Sequence, residues 1–295
     1  MSQPDEAPPP ATAPEAAAAP AAPDDANDLR GFYFGQLMRR GLTLILIAVF
    51  ALAAGVGGAL LVGPAIGGAA VVVAVLIGVL VVFGIADSRA EEAFFQAYAN
   101  AHGLELGGRS PLPPSTPLLR KGDDRYAERT LSGPLAGDVE GILALYTYEE
   151  ETTDSEGNRE TNYYRYTVGL VAVPECAELV PELYCQRKFG LRSLEKLEDA
   201  FRRSKQRLKL ESEVLDEKYE IFAGKSQDES WLRQLFAPTF IVWLTDSAPK
   251  KFAFELVGGN LCCYVSGHKK KAEELEEISA ATAAVAHRLR EESLE

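Results

Sequence analysis

The sequence has few residues that could form a disulfide framework or a metal site. Its 295 residues include four cysteines and three histidines. Disulfide-rich domains and zinc sites need denser patterns, such as Cys-x-x-Cys pairs, and no such pair is present. The adjacent residues Cys262 and Cys263 would point to opposite faces of a strand, which does not favour a redox pair. We therefore expect a reducing compartment, no metal and no cofactor.

Motifs of the familiar enzyme classes are missing as well. No serine or cysteine lies in a nucleophile motif, and neither a phosphate-binding glycine-rich loop nor a dinucleotide fingerprint occurs. An acidic run at 149–156 could hold a divalent cation, but its spacing does not match a calcium loop and a solvated hairpin tip explains it equally well. We predict no catalytic residues, and the balance favours a protein that is not an enzyme.

Positive charge is scarce, since the net charge is -13 and no lysine or arginine precedes Arg30. Binding to phosphates requires a net basic face, so we expect no nucleic-acid partner. One dense basic run is by default the solvated start of a strand, and contact with anionic lipid headgroups is the functional alternative. The run consists of Arg202, Arg203, Lys205, Arg207 and Lys209.

Charge is missing altogether between Gly41 and Gly84, where nearly every residue is apolar or glycine. Gly63 and Pro64 interrupt this stretch near its middle. Because about 20 helical residues cross a hydrocarbon core of about 30 Å, we predict two transmembrane spans, at about 42–62 and 67–86. Neither span contains an ionisable side chain, which argues against a channel or a pump.

Small residues recur every four positions in both predicted spans, a spacing that allows close approach of helix backbones. They could pack against each other within the hairpin, or they could form a homo-oligomeric contact. The rows are Ala51, Gly55, Ala59 and Gly63 in the first span and Ala70, Ala74 and Gly78 in the second.

Arginines flank the hairpin, and its turn has no charge. Arg30, Arg39 and Arg40 precede the first span and Arg89 follows the second. The positive-inside rule therefore predicts a multi-pass protein of the bacterial inner membrane with both termini in the cytoplasm.

Composition divides the chain into four parts. The first is an Ala/Pro-rich acidic tail that we predict to be disordered, because it cannot bury enough apolar surface to offset the entropy of ordering. A juxtamembrane helix ending at His102, with Gly103 as its C-cap, and a Pro-rich linker follow the hairpin. The parts are 1–28, the hairpin with a short amphipathic lead-in at 29–86, the helix and linker at 87–121, and a cytoplasmic domain at 122–295.

Beyond the linker the hydrophobic period changes from 3.6 to 2, which indicates strands. Short helices follow Ser226 or Asp228 and Pro238, and a long helix at 269–292 closes the chain. The fold class is therefore α+β, a mainly antiparallel sheet packed with helices. The predicted strands are 125–133, 139–151, 163–173, 183–188, 207–214, 218–223, 252–257 and 261–266.

Three pieces of the C-terminal third resemble a widespread bacterial family of membrane-anchored proteins of unknown function. They are Tyr219-Glu220-Ile221-Phe222-Ala223, Leu235-Phe236-Ala237-Pro238-Thr239-Phe240, and Phe252-Ala253-Phe254 with Leu261-Cys262-Cys263-Tyr264. The resemblance implies two membrane helices followed by a cytoplasmic α+β domain, and it implies no chemistry. The N-terminal Pro/Ala-rich tail departs from the family pattern.

These observations favour an uncharacterised integral membrane protein whose cytoplasmic domain binds or scaffolds another protein. Two alternatives stay open. The domain could read anionic lipid through the basic run and Lys269–Lys271, or it could be a membrane-tethered hydrolase with a site built from scattered acidic residues.

Overall fold

Two long helices form an apolar hairpin next to a sheet domain. The computed structural model describes residues 24–61, 63–153, 157–188, 205–225, 227 and 229–294. Helix α1 covers Ala26–Met38, α2 covers Gly41–Leu61 and α3 covers Pro64–His102. Helices α2 and α3 are long and apolar enough to cross a membrane. Their apolar 18-residue windows have mean hydropathies of 2.6 and 3.1, and only 6% and 17% of these windows is buried. Because their apolar side chains are exposed, these are not core helices of a soluble domain.

The small residues of the hairpin lie between its two helices. A Cβ added at Gly67 would come 2.8 Å from the Cβ of Ala59, and one added at Gly78 would come 3.0 Å from Cγ1 of Ile47. Ala51 and Ala74 are buried in the same seam. Within the described residues these rows support packing inside the hairpin, and the homo-oligomeric contact stays a prediction.

Helix α3 continues without interruption past the apolar stretch and becomes the first helix of the sheet domain, as predicted. Phe94, Phe95 and Tyr98 near its end are buried in the main core. The helix ends where Gly103 adopts a left-handed conformation (φ 66°) and donates its amide to the carbonyl of Ala99.

The sheet has nine antiparallel strands among the described residues, in the order β1-β2-β3-β4-β9-β8-β5-β7-β6. The predicted α+β class is confirmed, with seven helices in the part of the chain that the structure describes. The strands are β1 Glu105–Gly107, β2 Asp124–Leu135, β3 Val139–Thr153, β4 Arg159–Ala172, β5 Glu182–Arg187, β6 Lys205–Leu208, β7 Tyr219–Gly224, β8 Ala253–Val257 and β9 Asn260–Ser266.

Helices cover one face of this sheet. They are the end of α3, α4 (Glu213–Lys218), α5 (Glu229–Leu235), α6 (Pro238–Val242) and α7 (Ala272–Leu294). The stripe predicted for the C-terminal helix is confirmed, since Leu275, Ile278, Thr282, Val285 and Leu289 are all buried.

The opposite face is covered in part by a proline-rich segment, residues 112–121, which we call the strap. Its Leu112, Leu118 and Leu119 pack on a cluster of strand tyrosines. Tyr148 and Tyr164 stack across β3 and β4 with ring centroids 4.8 Å apart, which confirms the predicted cross-strand pairing.

Three local predictions differ from the structure. The strand predicted at 207–214 ends at Leu208, and helix α4 replaces both its end and the predicted turn at Asp216-Glu217, because the Ser212 hydroxyl caps α4 by accepting the Leu215 amide. Strand β1 and the strap occupy the predicted linker. Helix α1 begins at Ala26, inside the predicted tail. Residues 1–23 of the predicted tail, Ser193 to Phe201, Ser226 and Asp228 lie outside the described residues.

Candidate functional site

Ion pairs tie the sheet domain to the membrane-proximal end of α3, and we call this group the latch. Glu91 on α3 contacts Arg129 of β2, with Oε1 and Nε 3.2 Å apart, and also contacts Lys270. Burial would raise the pKa of Glu91, but the hydrogen bonds and charges of Lys270 and Arg129 outweigh it and hold that pKa below its usual value. Asp25 adds a backbone bridge to Lys271, and their side-chain charges are 3.8 Å apart.

The latch fixes where the domain sits along α3. Glu91 follows Ile85 by six residues, which at the helical rise is about 9 Å. A second contact, the 2.6 Å ion pair between Arg30 of α1 and Asp87 of α3, lies between these two positions. The sheet domain is therefore held close to the end of the apolar stretch.

A polar cleft opens beside the latch, between the segment after α6 and the first turns of α7. Its volume is about 460 Å³. The lining combines apolar, basic and acidic side chains, from Asp246, Ser247, Ala248, Pro249, Lys250, Val265, Lys269, Lys271, Glu273, Glu274, Glu277 and Ile278. Because Lys271 belongs to both the latch and the cleft, the cleft adjoins the latch.

Several charges of the cleft are already paired within the chain. Lys269 is 2.8 Å from Glu274, and Asp246 is 3.8 Å from Lys218. Lys250, Glu273 and Glu277 are exposed, and none of the three has an ion-pair partner among the described residues. Two carboxylates and one ammonium group are therefore available to a ligand that carries both signs of charge.

Aromatic rings pack next to the segment that forms one wall of the cleft. Residues Trp243–Ser247 form a single π-helical turn, a feature that is frequent at functional sites. The ring of Trp243 stacks on Phe240 at 5.4 Å and meets Phe252 edge-on at 6.0 Å. Lys251, at the end of this segment, has a φ of 62°, an uncommon value for a residue with a side chain.

The cleft is better suited to binding than to acid–base catalysis. Asp246 and Glu274 are committed to lysines, and Glu273 and Glu277 lie in water without the burial on which general acids and bases depend. The described residues contain no group of three or more His, Cys, Asp or Glu side chains that could hold a metal ion.

A second polar cluster lies under the strap, where Glu255 of β8 is fully buried. Its Oε2 accepts the Leu118 amide at 2.9 Å, and the Tyr264 hydroxyl lies 3.5 Å from Oε1. Burial raises the pKa of Glu255 although the Leu118 amide and the charge of Lys121 act in the other direction. Burial also lowers the pKa of Lys121 to about 8, although Glu255 and Glu150 raise it. These groups fasten the strap to the sheet.

Two residues of the basic run predicted as a lipid contact are paired within the domain. Lys205 pairs with Glu182, and Arg207 lies 3.3 Å from Glu220. Lys209 follows the end of β6, while Arg202 and Arg203 lie outside the described residues. Lys269, Lys270 and Lys271 also have carboxylate partners. Lipid contact through the basic run stays a prediction.

Each histidine lies next to one carboxylate. The residues around each histidine in the sequence do not predict this pairing. His102 is 3.4 Å from Glu276 and His287 is 2.8 Å from Asp138. His268 is largely buried, 3.7 Å from Glu128. Burial lowers the pKa of His268, while the Glu128 charge opposes this effect.

Comparisons with known proteins give little further guidance. No protein-family model matches the chain, and no curated protein does either. The crystal structure of the mycobacterial trehalose monomycolate transport factor A, TtfA, is similar to this chain at a TM-score of 0.40 and 9% identity, over 67% of this chain and 90% of that chain. This similarity is too low to carry an argument about function. The resemblance to a bacterial membrane-anchored family stays a prediction.

Proposed function

We propose that this chain is a membrane-anchored binding module whose α+β domain holds a segment of another protein in the polar cleft. The single observation that carries the proposal is the position of the cleft: an accessible mixed-charge site shares Lys271 with the latch that fixes the domain next to the apolar hairpin. In this proposal both termini lie in the cytoplasm of a bacterial cell and the hairpin spans the inner membrane.

The chemistry of the cleft defines the partner. Lys250 offers one positive charge, and Glu273 and Glu277 offer two negative charges on one face of α7, four residues apart. Val265 and Ile278 supply apolar surface at the base. A polar peptide segment with a basic residue near an acidic one would complement this arrangement, and rim charges of this kind contribute mainly to specificity and association rate.

Affinity purification of the full chain from detergent-solubilised membranes, read out by mass spectrometry, tests the proposal. Lys250→Glu and Glu277→Lys reverse charges in the cleft. Lys225→Glu and Glu211→Lys reverse exposed charges outside its lining and serve as matched controls. We expect a partner that both cleft variants lose and both controls keep. A partner retained equally by all four variants would refute the cleft as the binding site.

A chain lacking residues 122–295 provides the complementary comparison. If the domain carries the binding, the partner disappears with it. If this truncated chain keeps the same partner, the hairpin carries the interaction and the proposed function is wrong.

A further inference from the structure

An apolar groove with a basic mouth lies on the hairpin, outside the α+β domain. It runs between the end of α1 and the facing sides of α2 and α3, with a volume of about 350 Å³. Its lining is apolar apart from Thr43 and consists of Leu37, Thr43, Leu46, Ile47, Phe50, Ile77, Gly78, Val81, Val82 and Ile85.

The groove is about one membrane leaflet deep. Along α3 it extends from Ile77 to Ile85, eight residues or about 12 Å at the helical rise. Half of a hydrocarbon core of about 30 Å is about 15 Å. The groove therefore begins at the end of the apolar stretch nearest the domain and reaches about as far as the middle of the bilayer.

Two arginines stand at its mouth. Arg39 and Arg40 form the connection between α1 and α2, between Leu37 and Thr43, which both line the groove. Both arginines are exposed, and within the described residues neither has a carboxylate partner. Arg30, by contrast, is paired with Asp87. The connection at this end of the groove thus carries two positive charges that have no carboxylate partner among the described residues.

We propose that this groove binds one acyl chain of an anionic phospholipid from the leaflet next to the domain, with the lipid phosphate on Arg39 and Arg40. The charge of the mouth selects an anionic headgroup. The lining of the groove selects a hydrocarbon chain, because it is apolar apart from Thr43 and extends for about 12 Å along α3.

Native mass spectrometry of the detergent-purified full chain tests this proposal with two probes of identical acyl chains, phosphatidylglycerol and phosphatidylcholine. Each basic group near an anionic headgroup contributes about fivefold, so the two arginines predict a preference of roughly 25-fold for phosphatidylglycerol. The detergent-solubilised state keeps the test independent of membrane orientation, which removal of arginines could change.

Two pairs of variants locate the site. The double variant Arg39→Gln/Arg40→Gln should lower phosphatidylglycerol binding to the phosphatidylcholine level, whereas Arg89→Gln, an exposed arginine outside the groove, should leave the preference intact. Val81→Phe fills the groove and should reduce binding of both lipids. Val72→Phe enlarges an exposed side chain elsewhere on α3 and should leave the binding of both lipids unchanged.

Several results would overturn the proposal. If the unaltered chain retained the two lipids equally, the arginines would not select an anionic headgroup. Unchanged binding in Val81→Phe, or an equal loss in Val72→Phe, would show that lipid coats the hairpin without using the groove. None of these outcomes depends on the partner of the cleft.

Discussion

Replacing Glu255 by leucine tests the polar cluster that fastens the strap to the sheet. The substitution deprives the buried Leu118 amide of its acceptor and removes the carboxylate that faces Lys121. Leaving one member of a buried charged pair alone costs about 3 to 5 kcal/mol. For a domain of this size, about 1 kcal/mol shifts the melting temperature by about 2 to 4 °C, so we expect a decrease of about 6 to 20 °C.

Adding Lys121→Met separates the charge effect from the hydrogen bond. Lys121 is 6% exposed, and its pKa of about 8 against an ordinary 10.5 corresponds to about 3 kcal/mol of unfavourable burial. Removing the ammonium group should therefore restore part of the stability lost in Glu255→Leu. The unpaired Leu118 amide keeps the double variant below the unaltered chain, by about 1 to 3 kcal/mol.

The pH dependence has a definite sign. The pKa of Lys121 is lower in the folded state than in the unfolded state, so the folded state binds fewer protons between about pH 8 and 10.5 and this group adds stability as the pH rises. From pH 8 to 9 the unaltered chain should gain up to about 1.4 kcal/mol relative to Lys121→Met.

Tryptophan fluorescence during heating of the detergent-solubilised chain measures these changes, since Trp231 and Trp243 pack against the main core of the domain. A loss below about 1 kcal/mol in Glu255→Leu would refute the reasoning. So would a double variant that is no more stable than Glu255→Leu alone.

Three further predictions concern the latch, the hairpin and the thiols. Glu91→Gln should lower the melting temperature by about 2 to 8 °C at pH 7 for a loss of about 1 to 2 kcal/mol. The difference in melting temperature between the unaltered chain and Glu91→Gln should shrink as the pH falls through the lowered pKa of Glu91. Below that pKa the stabilising carboxylate of the unaltered chain is protonated and no longer charged. Measuring both melting temperatures across an acid titration checks this prediction. Gly55→Leu should destabilise the hairpin by about 1 to 3 kcal/mol in circular-dichroism melts, since an added Cβ would overlap Val71, whereas Gly57→Leu, with nothing within 4 Å, should not; equal effects would contradict the packing. The four cysteines are buried and burial raises the pKa of each thiol, so N-ethylmaleimide should modify none of them at pH 7.5 until denaturant is added, and rapid labelling of the folded chain would contradict this.

The hairpin, the α3 extension and the long strands could be predicted because each depends on local composition. A long uncharged stretch of apolar residues is favourable in the hydrocarbon core of a membrane. Gly103 ends the following helix because glycine readily adopts the left-handed conformation. The tyrosines of β3 and β4 alternate with polar residues, which is the pattern of a two-faced strand.

The sequence does not predict helix α4, because Leu208, Leu210, Ser212 and Val214 alternate like a strand. In the structure Leu208 and Leu210 are buried, whereas Val214 is 51% exposed on a helix. The Ser212 cap followed by acidic residues indicates a helix start, but the apparent period of two favours a strand.

The strap and the latch could not be predicted, since they depend on contacts between distant parts of the chain. A proline-rich segment is typical of a linker, and Leu118 and Leu119 are buried here only because they pack on the tyrosine face of the sheet. The bridge between Asp25 and Lys271 joins segments that are far apart in the sequence, and no local pattern specifies it. The cleft could not be predicted either, because its walls come from segments that are separate in the sequence.

Cysteine labelling in oriented membrane vesicles tests the central claim, a membrane-spanning hairpin with the domain on one side, most directly. Because the native cysteines are buried, Ala65→Cys at the exposed turn and Ser88→Cys near the latch should be the sites that react with a membrane-impermeant maleimide. The account predicts that Ala65→Cys reacts in right-side-out vesicles and Ser88→Cys in inside-out vesicles. Labelling of both positions from the same side would contradict it.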